Sequence, residues 1–194
     1  MSLFRVLVSR LWRRGVRRPL GVVLHPLRRR AAIRRLERLD GVTSILFVCH
    51  GNICRSPYAA GALRRDLPEN TRLGVRIECA GFAGPGRLSP GAAVTTAAKR
   101  GVDLAGHRSQ VVDRELVRAA DLVVVMDANQ RRAITQRFEA ARQRVMILAD
   151  LLPGFYDGRQ IPDPIDEPLQ AYERAYSLID QSVATLGSVL IRGR

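Results

Sequence analysis

Four short apolar runs, separated by segments of helical character, set the strongest limit on how this 194-residue chain can fold. Apolar strands that are joined through helices form a parallel sheet, and the helices cover both of its faces. The sequence therefore predicts an α/β domain of three layers, α/β/α, with a four-stranded parallel sheet of Rossmann-like type. The predicted strands are TSILFV, GVRIECAG, DLVVVM and RVMIL.

Capping residues delimit the predicted helices. Ser89 and Pro90 suit the N-cap and the first position of one helix, which Gly101 ends. Asp113 suits the N-cap of a short helix, and we interpret Asp127, after the third strand, as a structural acceptor. Further helices are predicted over residues 57–67, 127–138 and 168–186.

Charge divides the chain into two regions. The formal net charge is +14, and residues 1–40 hold twelve arginines and two acids, so that the remaining residues carry only +4. We predict a basic arm over residues 1–40 and a globular domain over residues 41–194. In the stretch LFRVLVSRLWRR, apolar residues recur at helical spacing opposite arginines. This pattern is typical of an amphipathic helix on an anionic membrane surface.

Other interpretations of residues 1–40 stay open. The segment also fits a solvated basic arm or a start codon placed too early. It fits a mitochondrial transit peptide as well, because such peptides are rich in arginine and poor in acids. Contact with nucleic acid is a weaker expectation than contact with a membrane surface.

Cysteine usage and hydropathy bear on the compartment. Cys49, Cys54 and Cys79 form no disulfide framework in a chain of this length, which suggests a reducing environment. No apolar run reaches the roughly 18 residues of a membrane-spanning helix, and no uninterrupted apolar run fits a secretory signal. We therefore expect a cytoplasmic protein, with the arm permitting a peripheral position at the inner face of the membrane.

The segment ILFVCHGNICRSP carries a nucleophile and an anion-binding loop together. It follows the first strand, at the sheet edge where ligands of such folds bind. The N–H groups of the loop and of the following helix form a concave anion site, and Gly51 and Asn52 tolerate positive φ there. Arg55 offers a planar fork for two phosphate oxygens, while Cys49 offers a sulfur nucleophile. This combination favours phosphoryl transfer to sulfur.

The full string C-x-G-N-x-C-R-S-P, between a strand and a helix, resembles the bacterial type of the low-molecular-weight protein tyrosine phosphatase family. The resemblance covers roughly residues 42–187. It extends to four further segments in the order typical of that family: ECAGF, GVDLAGHRS, DLVVVMD and IPDP.

The resemblance implies a role for each matching residue. Cys49 would be the nucleophile that forms a phosphocysteine, and Arg55 would bind the phosphate and the transition state. Ser56 would hydrogen-bond the sulfur, and Asn52 would hold the shape of the loop. Asp163, in IPDP, would protonate the leaving oxygen and then activate water, a contribution of about 10²–10⁴-fold.

The other loop residues are expected to contact the substrate, and these are His50, Gly51, Ile53 and Cys54. The resemblance also implies that Cys54 can form a reversible protective disulfide with Cys49. His107 would be a buried structural histidine bonded to the loop, and Cys79 is interpreted as core packing. No metal ligand cluster is apparent, and no cofactor is expected.

The expected partner is a phosphotyrosine-containing protein, for which a membrane-bound tyrosine kinase is one candidate. Two relatives of the same fold remain alternatives. Arginine phosphatases carry Thr where this chain has Ile53, and arsenate reductases need two further cysteines placed to relay a disulfide. A catalytically silent phosphate-binding module is a third alternative.

The predicted pocket walls differ from those usual in the family. The loop GFAGPGRLSPG has no Trp, and Ile165 follows the Asp-Pro pair where an aromatic residue is usual. These departures alter the walls that would hold a tyrosine ring, and so bear on the preference for phosphotyrosine. The residues expected to carry out phosphate hydrolysis are all present.

Overall fold

The computed structural model describes residues 23–39 and 41–193, apart from the side chain of Leu73. In chain order the helices are α1 (residues 23–37), α2 (Arg55–Asp66), α3 (Glu69–Leu73), α4 (Gly91–Ala98), α5 (Arg114–Ala119), α6 (Ala128–Arg137) and α7 (Leu169–Arg192). The strands are β1 (Ser44–Cys49), β2 (Arg76–Gly81), β3 (Leu122–Val125) and β4 (Val145–Ile147).

The four strands form one parallel sheet in the order β2-β1-β3-β4. All six residues of β1 and all four of β3 are buried, because both strands lie inside the sheet with helices over its faces. The predicted three-layer fold is confirmed. The register pairs Cys49 with Gly81, so β1 and β2 end together at the carboxyl edge of the sheet.

The long helix α7 packs against α2 and carries much of the core on that side of the sheet. Tyr58 of α2 stacks on Tyr176 of α7 with ring centroids 3.7 Å apart. The Tyr58 hydroxyl also donates to Asp180 Oδ1 at 2.7 Å. These contacts fix the helix that follows the phosphate-binding loop.

The predicted cap is correct at α5 and wrong at α4, and Asp127, predicted as a structural acceptor, caps α6. Asp113 and Asp127 are N-caps and accept from the N–H groups of Leu116 and Gln130, each at 2.8 Å. At α4 the N-cap is Pro90 rather than Ser89. The buried Ser89 hydroxyl has no hydrogen-bond partner among the described residues, so it satisfies no helical N–H. The last helix also runs to Arg192, six residues beyond its predicted end.

Helix α1 lies within the segment that the sequence predicts as a basic arm, and it packs against the domain. His25 is buried and donates from Nε2 to the Leu152 carbonyl at 3.0 Å. Arg35 donates from Nη1 to the carbonyl of Val145 in edge strand β4, at 2.9 Å. Leu36 is buried in the core. The stretch LFRVLVSRLWRR lies outside the described residues, so its amphipathic helix and the boundary at residue 40 stay predictions.

Hydropathy of the helices bears on membrane insertion. Over residues 23–39 and 41–193, no helix is both long and apolar enough to span a bilayer.

Candidate active site

The loop that follows β1 folds its backbone around the sulfur of Cys49. Asn52 has a φ of 51°, in the left-handed region that Asn tolerates better than most residues. This turn directs the Asn52 N–H to Cys49 Sγ at 3.2 Å. The loop thus presents a backbone dipole to the sulfur, which stabilises negative charge there.

Ser56 provides the second polar contact of the sulfur. Its Oγ lies 3.0 Å from Cys49 Sγ and 3.3 Å from the Ala80 carbonyl. Asn52 Nδ2 donates to the same Oγ at 2.9 Å. The Ser56 hydroxyl has one proton and two acceptors within reach, the Ala80 carbonyl and the sulfur, and a Cys49 thiolate is the stronger acceptor because it is charged.

Residues outside the loop hold Asn52 in place. His107 Nε2 donates to the Asn52 carbonyl at 2.7 Å, as the resemblance implies for a structural histidine. Gln110 N donates to Asn52 Oδ1 at 2.9 Å. Gly81 makes room on the third side, since a Cβ there would stand 2.7 Å from the Asn52 nitrogen. The strained residue is therefore fixed through its carbonyl, its side chain and its packing.

Arg55, the first residue of α2, is the buried cation of the site. Its side chain is 4% exposed, and Nη1 donates to the Ile161 carbonyl at 3.1 Å. Nη2 pairs with Asp163 Oδ2. The buried Nε–H has no protein partner among the described residues, although such a group is costly to leave unpaired. An anion in the loop would satisfy it, since adjacent guanidinium N–H groups bind two oxygens of a phosphate.

Asp163 reaches this edge from the long loop between β4 and α7. Its side chain is 36% exposed, and Oδ1 accepts from Ile165 N at 3.4 Å. Ile161 N donates to the Met126 carbonyl at 2.8 Å, which fixes the loop beside the end of β3. The carboxylate thus stands at the mouth of a pocket whose base is the Cys49 loop.

The remaining predicted loop residues take different environments. Gly51 and Ile53 are buried, whereas the His50 side chain is exposed. The His50 carbonyl accepts from Phe82 N at 2.7 Å, so this residue also joins the loop to the segment after β2.

Cys54 is buried under α7, a contact that sequence reasoning missed. Burial raises the pKa of its thiol to about 12, and burial likewise raises that of Cys79 to about 11. The Tyr176 hydroxyl donates to the Cys54 carbonyl at 3.4 Å. Tyr172 and Tyr176 are four residues apart in α7 and so lie on one face of the helix. This spacing was the sequence signal that could have predicted a buried face of α7. Cys49, Cys54 and Cys79 are free thiols.

Arg87 is a second residue that sequence reasoning missed. It belongs to the loop GFAGPGRLSPG, and its guanidinium lies beside the phosphate loop. A Cβ on Gly51 would stand 3.5 Å from the nearer guanidinium nitrogen. Gly84, at φ +69°, leaves the space that the Arg87 side chain crosses. Within the described residues the guanidinium has no carboxylate partner, so the pocket mouth carries a positive charge where the family usually has an aromatic ring.

Known proteins are similar to this chain over a region that includes the Cys49 loop and Asp163. The family model for low molecular weight phosphotyrosine protein phosphatase matches residues 44–192. A probable low molecular weight protein-tyrosine-phosphatase EpsP from Ralstonia nicotianae is 36% identical over 143 residues, which cover 73% of this chain and 92% of that protein.

Two solved structures extend the comparison. The YwlE arginine phosphatase from Geobacillus stearothermophilus is 32% identical with a TM-score of 0.68, over 77% of this chain and 94% of its own. The tyrosine phosphatase Wzb from Escherichia coli K30, in complex with sulphate, is 31% identical with a TM-score of 0.68, over 76% and 97%. All three proteins come from bacteria, in agreement with the bacterial type that the sequence resembles.

Proposed function

Because the chain belongs to the low molecular weight phosphotyrosine protein phosphatase family, we propose that it hydrolyses protein phosphotyrosine through a phosphocysteine at Cys49. Members of this family are hydrolases of phosphomonoesters, and this chain is one of them. The observation that carries the proposal is the Cys49 sulfur, which receives a backbone N–H and faces a hydroxyl. Beside it lie the buried Arg55 and its partner Asp163 at the pocket mouth.

Substrate binding would rearrange the Arg55–Asp163 pair. The phosphoryl oxygens bind the loop N–H groups and the unpaired Nε–H of Arg55. Two oxygens of a phosphate compete with Asp163 for the Arg55 fork, because the fork binds planar or tetrahedral anions in pairs. Asp163 is thereby released toward the ester oxygen, and its carboxylate takes up the proton that the Cys49 thiol gives up. The pair enters the reaction as a thiolate and a carboxylic acid, which acts on the ester oxygen.

The first chemical step forms the S–P bond and breaks the P–O bond of the ester. Cys49 Sγ attacks phosphorus while Asp163 gives its proton to the leaving phenolic oxygen. Arg55 and the loop N–H groups stabilise the charge on the three equatorial oxygens. The neutral phenol departs and the phosphoryl group remains on sulfur.

The second step returns the enzyme to its starting state. Asp163, now a carboxylate, takes a proton from water as the water oxygen attacks phosphorus. The S–P bond breaks, and the electron pair stays on Cys49 Sγ. The Ser56 hydroxyl and the Asn52 N–H stabilise this leaving thiolate through the contacts described above.

The proposal also covers the substrate, the partner and the location of the enzyme. Ile53 favours phosphotyrosine over phosphoarginine, because the arginine phosphatases carry Thr at that position. Relatives named tyrosine phosphatases, EpsP and Wzb among them, support the same substrate class. We propose a cytoplasmic enzyme whose substrate is a phosphotyrosine protein such as a tyrosine kinase, with residues 1–40 as a basic arm that reaches the membrane surface.

Steady-state hydrolysis tests this function. The full chain is assayed with p-nitrophenyl phosphate and with phosphotyrosine, phosphoserine and phosphoarginine peptides. We expect the highest kcat/KM on phosphotyrosine and loss of turnover in Cys49→Ser. A clear preference for phosphoarginine would assign the alternative substrate, since a YwlE arginine phosphatase shares the fold and 32% of the sequence. Absence of turnover on all four substrates under reducing conditions would contradict the proposal.

A further inference from the structure

A second positively charged cavity lies away from the Cys49 loop, where α1 covers the edge of the sheet. It has a volume of about 200 Å³ and is open to solvent. Helix α1 forms one wall, the edge strand β4 the floor, and α6 with Asp150 and Arg159 the remaining sides. Ala31 and Ala32 of α1 face it, and their small side chains leave the space unfilled.

Arginine dominates the lining of this cavity. The guanidinium groups of Arg28, Arg35, Arg131 and Arg159 stand against the single carboxylate of Asp150, a net charge of +3. Asp150 is bound by Arg159, whose Nε donates to it at 2.8 Å. The other three arginines have no carboxylate partner within residues 23–39 and 41–193. Positive charge therefore exceeds negative charge inside a partly enclosed space.

The position of Arg35 indicates that this charge is held in place. Its Nη1 and Nη2 donate to the carbonyls of Val145 and Gln143, so the guanidinium cannot swing into solvent without losing both bonds. Burial lowers the pKa of Arg35, and the like charge of Arg131 lowers it further. Like charges fixed near one another are destabilising unless an anion lies between them.

We propose that this cavity is a binding site for a phosphate-bearing anion. Guanidinium groups bind phosphate oxygens in pairs. Arg28 and Arg131 have no side-chain hydrogen bond to another described residue, and they can reach an anion from two walls. A net charge of +3 suits a ligand with two or more negative charges. The volume limits that ligand to about the size of a diphosphate or a phosphorylated headgroup.

The site is distinct from the catalytic pocket. None of the residues 49–56 and none of 161–163 lines the cavity. Its α1 wall lies before residue 44, where the match to the family model begins. The anion site thus depends on a segment that the matched phosphatase region does not include.

Titration calorimetry with methylenediphosphonate, a diphosphate that resists hydrolysis, tests the proposal on the full chain. We expect two bound equivalents, of which one inhibits hydrolysis of p-nitrophenyl phosphate and the other does not. The double variant Arg28→Gln, Arg131→Gln should weaken the non-inhibitory site at least about tenfold, because two charged donors are lost. Its KM and kcat for p-nitrophenyl phosphate should stay unchanged, which also shows that it folds.

The matched control is Arg30→Gln, Arg132→Gln. These arginines are exposed on the same two helices but do not line the cavity, so the charge removed is the same. The control should keep both equivalents. The proposal is overturned if the wild-type chain binds only the inhibitory equivalent. It is overturned equally if both double variants lose affinity to the same extent, which would show nonspecific attraction.

Vesicles separate two sources of the phosphate. Sedimentation with phosphatidylcholine vesicles is compared with and without phosphatidylglycerol. Binding to the anionic vesicles that is lost in Arg28→Gln, Arg131→Gln and kept in the control would assign a lipid headgroup. Equal vesicle binding by the two double variants, with the calorimetric difference intact, would assign a soluble phosphate compound. If neither probe distinguishes the double variants, the cavity is not an anion site.

Discussion

The two positively charged cavities of this chain are built in different ways. The proposed catalytic pocket rests on a backbone N–H directed at the sulfur, one buried arginine and a nearby acid, and most of these polar groups are already bonded. The α1 cavity rests on four arginines, two from α1, one from α6 and one from the loop before α7, and three of them lack a carboxylate partner within residues 23–39 and 41–193. The first suits the phosphoryl transfer proposed for Cys49, whereas the second has charge without a nucleophile and suits the binding alone that we propose for it.

Replacement of Asp163 by Asn should have the largest effect, and it should change turnover at the catalytic pocket without changing binding at the α1 cavity. The amide cannot donate or accept the proton in the two chemical steps, so kcat on phosphotyrosine peptides should fall about 10²–10⁴-fold. The loss of kcat/KM, which reports formation of the S–P bond, should be smaller on p-nitrophenyl phosphate, because its leaving group needs less protonation. Diphosphonate binding at the α1 cavity should not change. Equal losses of kcat/KM on both substrates would show that Asp163 is not the acid.

Replacement of Asn52 tests whether the catalytic pocket depends on its backbone. Asn52→Ala places alanine at φ 51°, a left-handed conformation that alanine tolerates less well than asparagine. The change also removes the hydrogen bonds to Ser56 and Gln110. The free energy of unfolding should fall by about 2–4 kcal/mol. Asn52→Gly relieves the backbone and should be less destabilising. Denaturant unfolding measures both variants, and a larger loss in the glycine variant would refute the backbone role.

Arg87 lies at the mouth of the proposed catalytic pocket, and it resembles three of the four arginines of the α1 cavity in being a cationic side chain that no described carboxylate pairs. Its charge faces the entrance without a carboxylate partner in the part of the chain that the structure describes. Arg87→Gln should therefore lower kcat/KM for a phosphotyrosine peptide with acidic neighbours by about fivefold, an effect of about 1 kcal/mol. A peptide with neutral neighbours should lose less. High salt should reduce the difference between the peptides. If both peptides respond alike in low salt, Arg87 does not select for acidic sequences.

Arg131→Gln should have the smallest effect, a change in the free energy of unfolding whose sign is informative. Without an added anion, removal of one like charge beside Arg35 should raise the free energy of unfolding by about 0.5 kcal/mol. A small increase in Tm would be observed, and added diphosphonate would stabilise the wild-type chain more than the variant. A lower Tm in the variant would show that Arg131 stabilises the fold through contacts other than those at the cavity.

The catalytic region could be predicted from sequence because its structure is local. A strand, a loop with Gly51 and Asn52, and a helix that begins at Arg55 follow one another, so spacing alone places the nucleophile beside the cation. Asp163 lies 114 residues beyond Cys49, and only the Asp-Pro resemblance pointed to it. The parallel sheet explains why it reaches the same edge.

The rest could not be read from sequence because it depends on packing. Arg28 and Arg131 come together only when α1 lies on β4, and the Arg-rich segment by itself indicated a basic arm. The Ser89 cap was assigned one residue too early, because both Ser89 and Pro90 suit a helix start. Arg87 could not be distinguished in the sequence from the many other arginines. Only the structure shows that its side chain crosses Gly84 and ends beside Gly51.

The central claim is that the phosphoryl group passes through Cys49. The most direct measurement mixes the Asp163→Asn variant with p-nitrophenyl phosphate, stops the reaction within the first turnovers, and maps the adduct by mass spectrometry. The account predicts a burst of one equivalent of p-nitrophenol and one phosphoryl group on Cys49, because water attack then lacks its base. Phosphate release with no burst and no adduct on Cys49 would contradict it.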